Sequence, residues 1–139
     1  MKKILTFVLL FVGTLATHSQ ADIEEINKTL YDYIDGTANG EPERLKQAFH
    51  EDFNLYFVQN DSLKIWSGKQ YIANIKPGRK SNRIGKVLSI DFEGNAAIAK
   101  IEILMPARKR IYTDYLMLLK VRNHWKIIHK SFTYKNYPE

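Results

Sequence analysis

Residues 110–132, RIYTDYLMLLKVRNHWKIIHKSF, read as two long strands joined by a tight turn at Arg122-Asn123. The run is rich in Ile, Tyr, Thr, Val, Trp and Phe, which suit a pleated surface. If Val121 faces His124 across the turn, then Lys120 faces Trp125, Leu118 faces Ile127, Leu116 faces His129 and Asp114 faces Ser131. That register puts these residues and Tyr112 on one face. Ile111, Thr113, Tyr115, Met117, Leu119, Val121, Ile128, Lys130, Phe132 and Tyr134 fall on the other. Both faces are largely apolar, whereas a sheet with one wet side alternates more cleanly. One face is therefore expected to pack on helices of the same chain. The other is expected to meet a second sheet, most simply a partner subunit's. A slip of one residue would exchange faces.

The rest of the chain supplies the cover. Residues 22–39 place Ile23, Ile26, Leu30, Tyr33 and Ile34 on one helical face, and Asp22 with Glu25 has the form of a capping box. Pro42 suits the first position of a second helix carrying Leu45, Ala48 and Phe49, which His50-Glu51-Asp52 is expected to end. Phe53 to Val58 and Leu63 to Trp66 form a short hairpin around Asn60-Asp61. Gly68 introduces a third short helix with Tyr71, Ile72 and Ile75, stopped by Pro77-Gly78. Ile84 to Phe92, Ala96 to Met105 and the opening hairpin then make an antiparallel meander. Helices first and strands later is an α+β order. A strongly bent sheet over the first helix would form a cone with a cavity between them.

The N-terminus reads differently. Lys2 and Lys3 precede an apolar run from Ile4 to Val12, and small and polar residues lead to Ser19-Gln20-Ala21. This is the layout of a secretory signal peptide, cleaved after Ala21 or after Ser19. The apolar run is short against the roughly 20 residues of a bilayer span, so no stable membrane insertion is expected once it is removed. The expected domains are a signal peptide at 1–21 and a single domain at 22–139, in a periplasmic or secreted protein. Removing 21 of the 139 residues leaves 118, enough for one core. The loss of Lys2 and Lys3 lowers the net charge from +6 to +4. The chain has no Cys, so it carries neither disulfides nor thiolate chemistry.

Taken in order, Tyr33-Ile34-Asp35-Gly36, Leu45 with Ala48-Phe49-His50, Tyr112-Thr113-Asp114-Tyr115-Leu116, and Trp125-Lys126-Ile127 with Lys130 and Phe132 resemble the nuclear transport factor 2-like superfamily. Within it, they are most similar to the putative lumazine-binding group of small bacterial proteins. The likeness covers about residues 22–135. It implies a cone-shaped α+β barrel, also described as cystatin-like, with a pocket between helices and sheet and frequent dimerisation through the sheet. Related folds include ketosteroid isomerases and polyketide cyclases, so the fold alone does not settle function.

Several constellations bear on chemistry. Asp114, His129 and Ser131 share a face in the expected register, and a carboxylate beside an imidazole suits general-base work. Strand neighbours, however, supply no exposed nucleophile on a sharp turn and no oxyanion hole. The plain alternative is a hydrogen-bonded carboxylate and a space-filling imidazole. Trp66 and Tyr71 flank Gly68 and are the aromatic residues placed to line a pocket, with Asp114 and His129 as its polar groups. His50-Glu51-Asp52 is better read as a helix end than as metal ligands. Lys76, Arg79, Lys80, Arg83 and Lys86 form a basic stretch without an intervening acid. It reads as a solvated loop and lacks the aromatic interleaving of a nucleic-acid surface.

The expected protein is thus an exported small-molecule-binding or structural domain. Its expected partners are a small hydrophobic or aromatic ligand and a second copy bound through the sheet face, with no nucleic acid, metal or cofactor. The alternative is an isomerase, cyclase or dehydratase using Asp114 or His129 as a base.

Overall fold

The computed structural model describes the backbone of residues 2–137 and the side chains of residues 18–137. Helix α1 runs Lys2–Asn39, followed by α2 at Pro42–Ala48, β1 at Phe49–Gln59 and β2 at Ser62–Ser67. Helix α3 at Gly68–Ala73 precedes β3 at Ile84–Glu93, β4 at Ala96–Met105, β5 at Arg110–Val121 and β6 at His124–Asn136. Among the described residues no helix is long and apolar enough to cross a membrane. The side chains of the expected leader's apolar run, Ile4 to Val12, lie outside the described residues.

The expected capping box does not form, because the helical backbone continues through Asp22. The Asp22 carboxylate instead accepts hydrogen bonds from Lys120 Nζ at 2.6 Å and Trp125 Nε1 at 2.9 Å. Glu25 accepts the Trp125 backbone N–H at 3.2 Å. Two acids expected to start the helix therefore pin it to the β5–β6 turn.

The six strands form one sheet in the order β2-β1-β6-β5-β4-β3. Every neighbouring pair is antiparallel except β1 and β6, which run parallel. The small hairpin is therefore part of the main sheet. Helix α2 ends at Ala48, and His50-Glu51-Asp52 lies inside β1. Phe49 decides this: it pairs with Ile127 of β6 and is buried edge-on against Tyr33, with ring centroids 5.2 Å apart.

Register breaks interrupt the β1–β6, β3–β4 and β5–β6 ladders. Such breaks bend a strand and increase its twist, and the sheet curls around α1. On its inner face Ile101, Leu116, Leu118, Trp125 and Ile127 pack under Ile26, Leu30 and Tyr33 of α1, all essentially inaccessible to solvent. Arg44 ties α2 to α1 by ion pairs to Asp32 at 2.8 Å and Asp35 at 3.0 Å.

The opening hairpin turns at Arg122 and Asn123, both with positive φ (49° and 65°), the geometry of a two-residue turn matched to strand twist. Val121 faces His124, Lys120 faces Trp125 and Leu118 faces Ile127, as the sequence predicts. Beyond that point the expected register fails. Met117 pairs with His129, Leu116 with Lys130, Tyr115 with Ser131 and Asp114 with Phe132. Ile128 is the extra residue of a bulge. From there to its end β6 is rotated by one position, so Lys130 and Phe132 turn inward while His129 and Ser131 turn outward.

Candidate functional site

The bulge creates a polar centre inside the cone. Asp114 on β5, fully buried, meets Lys130 on β6 and Tyr33 on α1. Asp114 Oδ2 accepts the Tyr33 hydroxyl at 2.7 Å and pairs with Lys130 Nζ at 2.8 Å. Lys130 also donates to the Tyr33 oxygen. The ammonium lies over three rings, 4.8 Å from the centroid of Tyr33, 5.2 Å from Phe132 and 5.7 Å from Tyr71. Charge pairing and ring faces together make its burial tolerable. Burial, reinforced by the Asp114 charge, pushes the Tyr33 hydroxyl well above its ordinary pKa. Tyr33 therefore acts as a hydrogen-bond donor and not as an acid at neutral pH.

An internal cavity of about 90 Å³ adjoins this centre, walled in part by Leu55, Trp66, Tyr71, Tyr112, Asp114 and Phe132. It meets a wider mouth of about 470 Å³ between Trp66, Gln70, Tyr71, Arg83 and Arg108. Gly68 sets the approach of α3, since a Cβ there would lie 2.2 Å from the Phe53 carbonyl oxygen. This tight contact sets where α3, and with it Tyr71, sits against the cavity.

Three buried polar atoms make no geometrically well-formed hydrogen bond among the described residues, Asp114 Oδ1, the Tyr71 hydroxyl and Arg83 Nε, although the Tyr71 hydroxyl lies close enough to Arg83 for their contact to help raise the Arg83 pKa. All three residues line the 90 Å³ cavity. Buried polar atoms are seldom left unpaired, and each costs about 1–3 kcal/mol. Burial opposes the charge on Arg83, but the neighbouring Tyr71 and Tyr33 hydroxyls and the Asp114 carboxylate outweigh it and raise its pKa. Arg83 thus brings a permanent positive charge, Asp114 an acceptor, and Tyr71 a group that can do either. At the rim, burial of Tyr112 is outweighed by hydrogen bonds its oxygen accepts from Arg110 and Arg108, which lower its pKa.

A larger groove of about 570 Å³ lies outside the cone between α2, β1 and α3 and includes His50. Its walls are mostly carbon, and none of the unpartnered buried atoms belongs to it. The chemistry is therefore concentrated in the smaller cavity. Among the described residues no three His, Asp or Glu side chains gather in a way that would hold a metal.

The structure brings Trp66, Tyr71 and Asp114 to one cavity. It separates His129 from them: the imidazole stacks on Tyr56, with centroids 4.5 Å apart, on the opposite face of the sheet. The expected grouping of Asp114 with His129 and Ser131 does not form, because the bulge at Ile128 exchanges Lys130 for His129. Arg83 was visible in the sequence only as part of a basic run, and Lys130 was placed on the wrong face. The adjacent Ile127 and Ile128, apolar on both faces, are compatible with either register and gave no warning.

A helical cover over a strongly curved six-stranded mixed sheet is the architecture this chain shares with nuclear transport factor 2-like proteins. The family model described as "Putative lumazine-binding" matches residues 21–133, and the chain belongs to that family. An aldolase, FrzH, from Cladobotryum sp is 26% identical over 126 residues, covering 89% of this chain and 99% of that protein. The crystal structure of a nuclear transport factor 2-like protein of unknown function from Shewanella baltica OS155 superposes with a TM-score of 0.72 at 22% identity, covering 86% of this chain and 96% of that one. A second such protein of unknown function, from Silicibacter pomeroyi DSS-3, gives a TM-score of 0.74 at 16% identity, covering 84% and 98%.

Proposed function

We propose that the protein binds a small, flat, partly polar molecule in the cavity between α3 and the sheet, beside the packed core under α1. The observation that carries this reading is that Asp114, Tyr71 and Arg83, each with a buried polar atom short of a well-formed hydrogen bond, line one cavity. A ligand with a donor facing Asp114 and an acceptor facing Arg83 would satisfy all three, and Trp66, Tyr71 and Phe132 offer ring surfaces to a planar molecule. Native mass spectrometry of the purified protein is expected to show a small-molecule adduct. A bicyclic aromatic such as 1-naphthol is expected to quench Trp66 fluorescence saturably. Tyr71→Phe, which removes one hydroxyl, should weaken retention of a polar ligand by about tenfold, the worth of one buried hydrogen bond. No adduct together with no saturable quenching would overturn the reading.

Catalysis is the second reading. Asp114 lines the cavity with one oxygen not held by Lys130 or Tyr33, and a relative of this chain is named an aldolase. Asp114→Asn separates the two: turnover lost with binding retained marks an enzyme using this carboxylate as base. His129 sits too far round the sheet to share the role.

The outer sheet face exposes Ile98, Tyr115, Met117 and Leu119. An apolar surface of this kind favours association, and the protein is proposed to pair with a second copy through it. Light scattering at micromolar concentration is expected to give the mass of a dimer, and Met117→Asp, which puts a charge into the contact, that of a monomer. A monomeric wild type contradicts this. Export is proposed as well. Asp22, the first residue after the proposed cleavage, contacts the β5–β6 turn through Lys120 and Trp125. The exported protein is expected to begin at Asp22 by N-terminal sequencing, or at Gln20 for the alternative cut. An intact Met1 after export would refute cleavage.

A further inference from the structure

The basic loop between α3 and β3 is built onto the mouth of the cone. Gly78 N–H donates to the Gly40 carbonyl at 2.8 Å, Ser81 N–H to the Ala38 carbonyl at 2.8 Å, and Ser81 Oγ to the Thr37 carbonyl at 3.1 Å. Gly40 permits the approach: its φ is +67°, and a Cβ there would lie 2.6 Å from both Arg79 N and the Lys76 carbonyl oxygen. The loop is therefore held against the end of α1 by its own backbone. It forms one wall of a cleft of about 410 Å³, into which Arg108 projects from the turn before β5.

Lys76, Arg79, Lys80, Arg83 and Arg108 line this cleft, and no acidic residue does among those described. Arg44, Lys28, Lys46, Lys120 and Lys130 each form an ion pair, but none of the five cleft cations does among the described residues. Holding five like charges together around one cleft, four on a fixed loop and one on the turn before β5, is unfavourable unless an anion offsets it. Arg83 and Arg108 also line both the inner cavity and its mouth. Arg83 Nε is one of the buried unpartnered atoms. The cleft is thus continuous with the cone through two arginines.

From this continuity we infer that the ligand is an acidic molecule with two parts: a planar ring in the cone, and a phosphate or carboxylate in the cleft of Lys76, Arg79, Lys80, Arg83 and Arg108. The inference rests on the cone being the ligand site and adds the charge of what enters it. Arginine and lysine side chains recognise either acid by charge-assisted hydrogen bonds, arginine with paired geometry.

The test compares 1-naphthol, 1-naphthoate and 1-naphthyl phosphate, which share a ring and differ in the acid, by calorimetry with the purified protein. Both anions are expected to bind at least about tenfold more tightly than the neutral naphthol. Their advantage should shrink as salt is raised, because the cleft is open to solvent. Lys76→Gln, Arg79→Gln and Lys80→Gln together change only exposed side chains. This triple variant should cut most of the anions' advantage over naphthol, leaving what Arg83 and Arg108 supply, and leave naphthol unchanged. A tighter phosphate than carboxylate assigns the cleft to phosphate, while equal affinity shows that a carboxylate suffices. Naphthol binding with no preference for the anions overturns the inference and leaves the cone reading standing. Failure of all three probes to bind overturns both.

Discussion

Lys130→Met is expected to lower the unfolding free energy by about 3–5 kcal/mol, because it leaves the Asp114 carboxylate buried without its directly paired ammonium. Asp114 is fully inaccessible and Lys130 nearly so. The ammonium also satisfies the Tyr33 oxygen and occupies the space between three rings. The pair itself need not stabilise the fold relative to an apolar core, since removing both charges from water is costly. The triple variant Lys130→Met, Asp114→Leu, Tyr33→Phe should therefore recover most of the loss while abolishing polar ligand binding. Urea unfolding of the single and triple variants measures both. A Lys130→Met protein as stable as wild type would show that the Asp114–Lys130 pair is not formed in solution.

Trp125→Ala is expected to cost a similar amount, about 3–5 kcal/mol, through the cavity it opens under α1. The ring is inaccessible, packs edge-on against Phe92 at a centroid distance of 6.3 Å, and donates its N–H to Asp22. A second effect should accompany the first. Hydrogen bonds from Lys120 and then Trp125 hold the Asp22 carboxyl below its ordinary pKa of 3.8. A depressed carboxyl adds stability that is complete above the unfolded-state pKa and is lost as pH falls through the lower, folded-state value. Trp125→Ala removes one of the two donors, so stability below pH 3.8 should fall less steeply in the variant than in wild type. Thermal melts across this range test both parts. A melting temperature unchanged by the substitution would place Trp125 outside the core.

The hairpin at 110–132 shows how far local pattern carries. Its turn needs two residues that accept positive φ, and the pairing nearest the turn follows from the turn geometry, so Lys120 against Trp125 and Leu118 against Ile127 were readable. The inward face of β5 was readable too, because Tyr112, Asp114, Leu116 and Leu118 alternate with no insertion. Trp66 and Tyr71 could be assigned to a pocket from their places around Gly68. Past Ile127 the pattern is ambiguous, since Ile128 and Phe132 suit one face as well as Ile127 does the other. The parallel pairing of β1 with β6 left no local mark either, because it joins segments far apart in sequence. That pairing moved Phe49 and His50 from the end of a helix into a strand.

The order of helices and strands and the hairpin turn were determined by the sequence itself, because each rests on residues near one another along the chain, while the family is legible from the pattern over residues 21–133. The polar centre was decided only in the tertiary structure. One extra residue in β6 turns Lys130 inward to meet Asp114 and Tyr33, and a burial energy summed over distant segments selects that register. The same holds for the basic loop: its four cations meet Arg108 in one cleft only after Gly40 lets the loop close against α1.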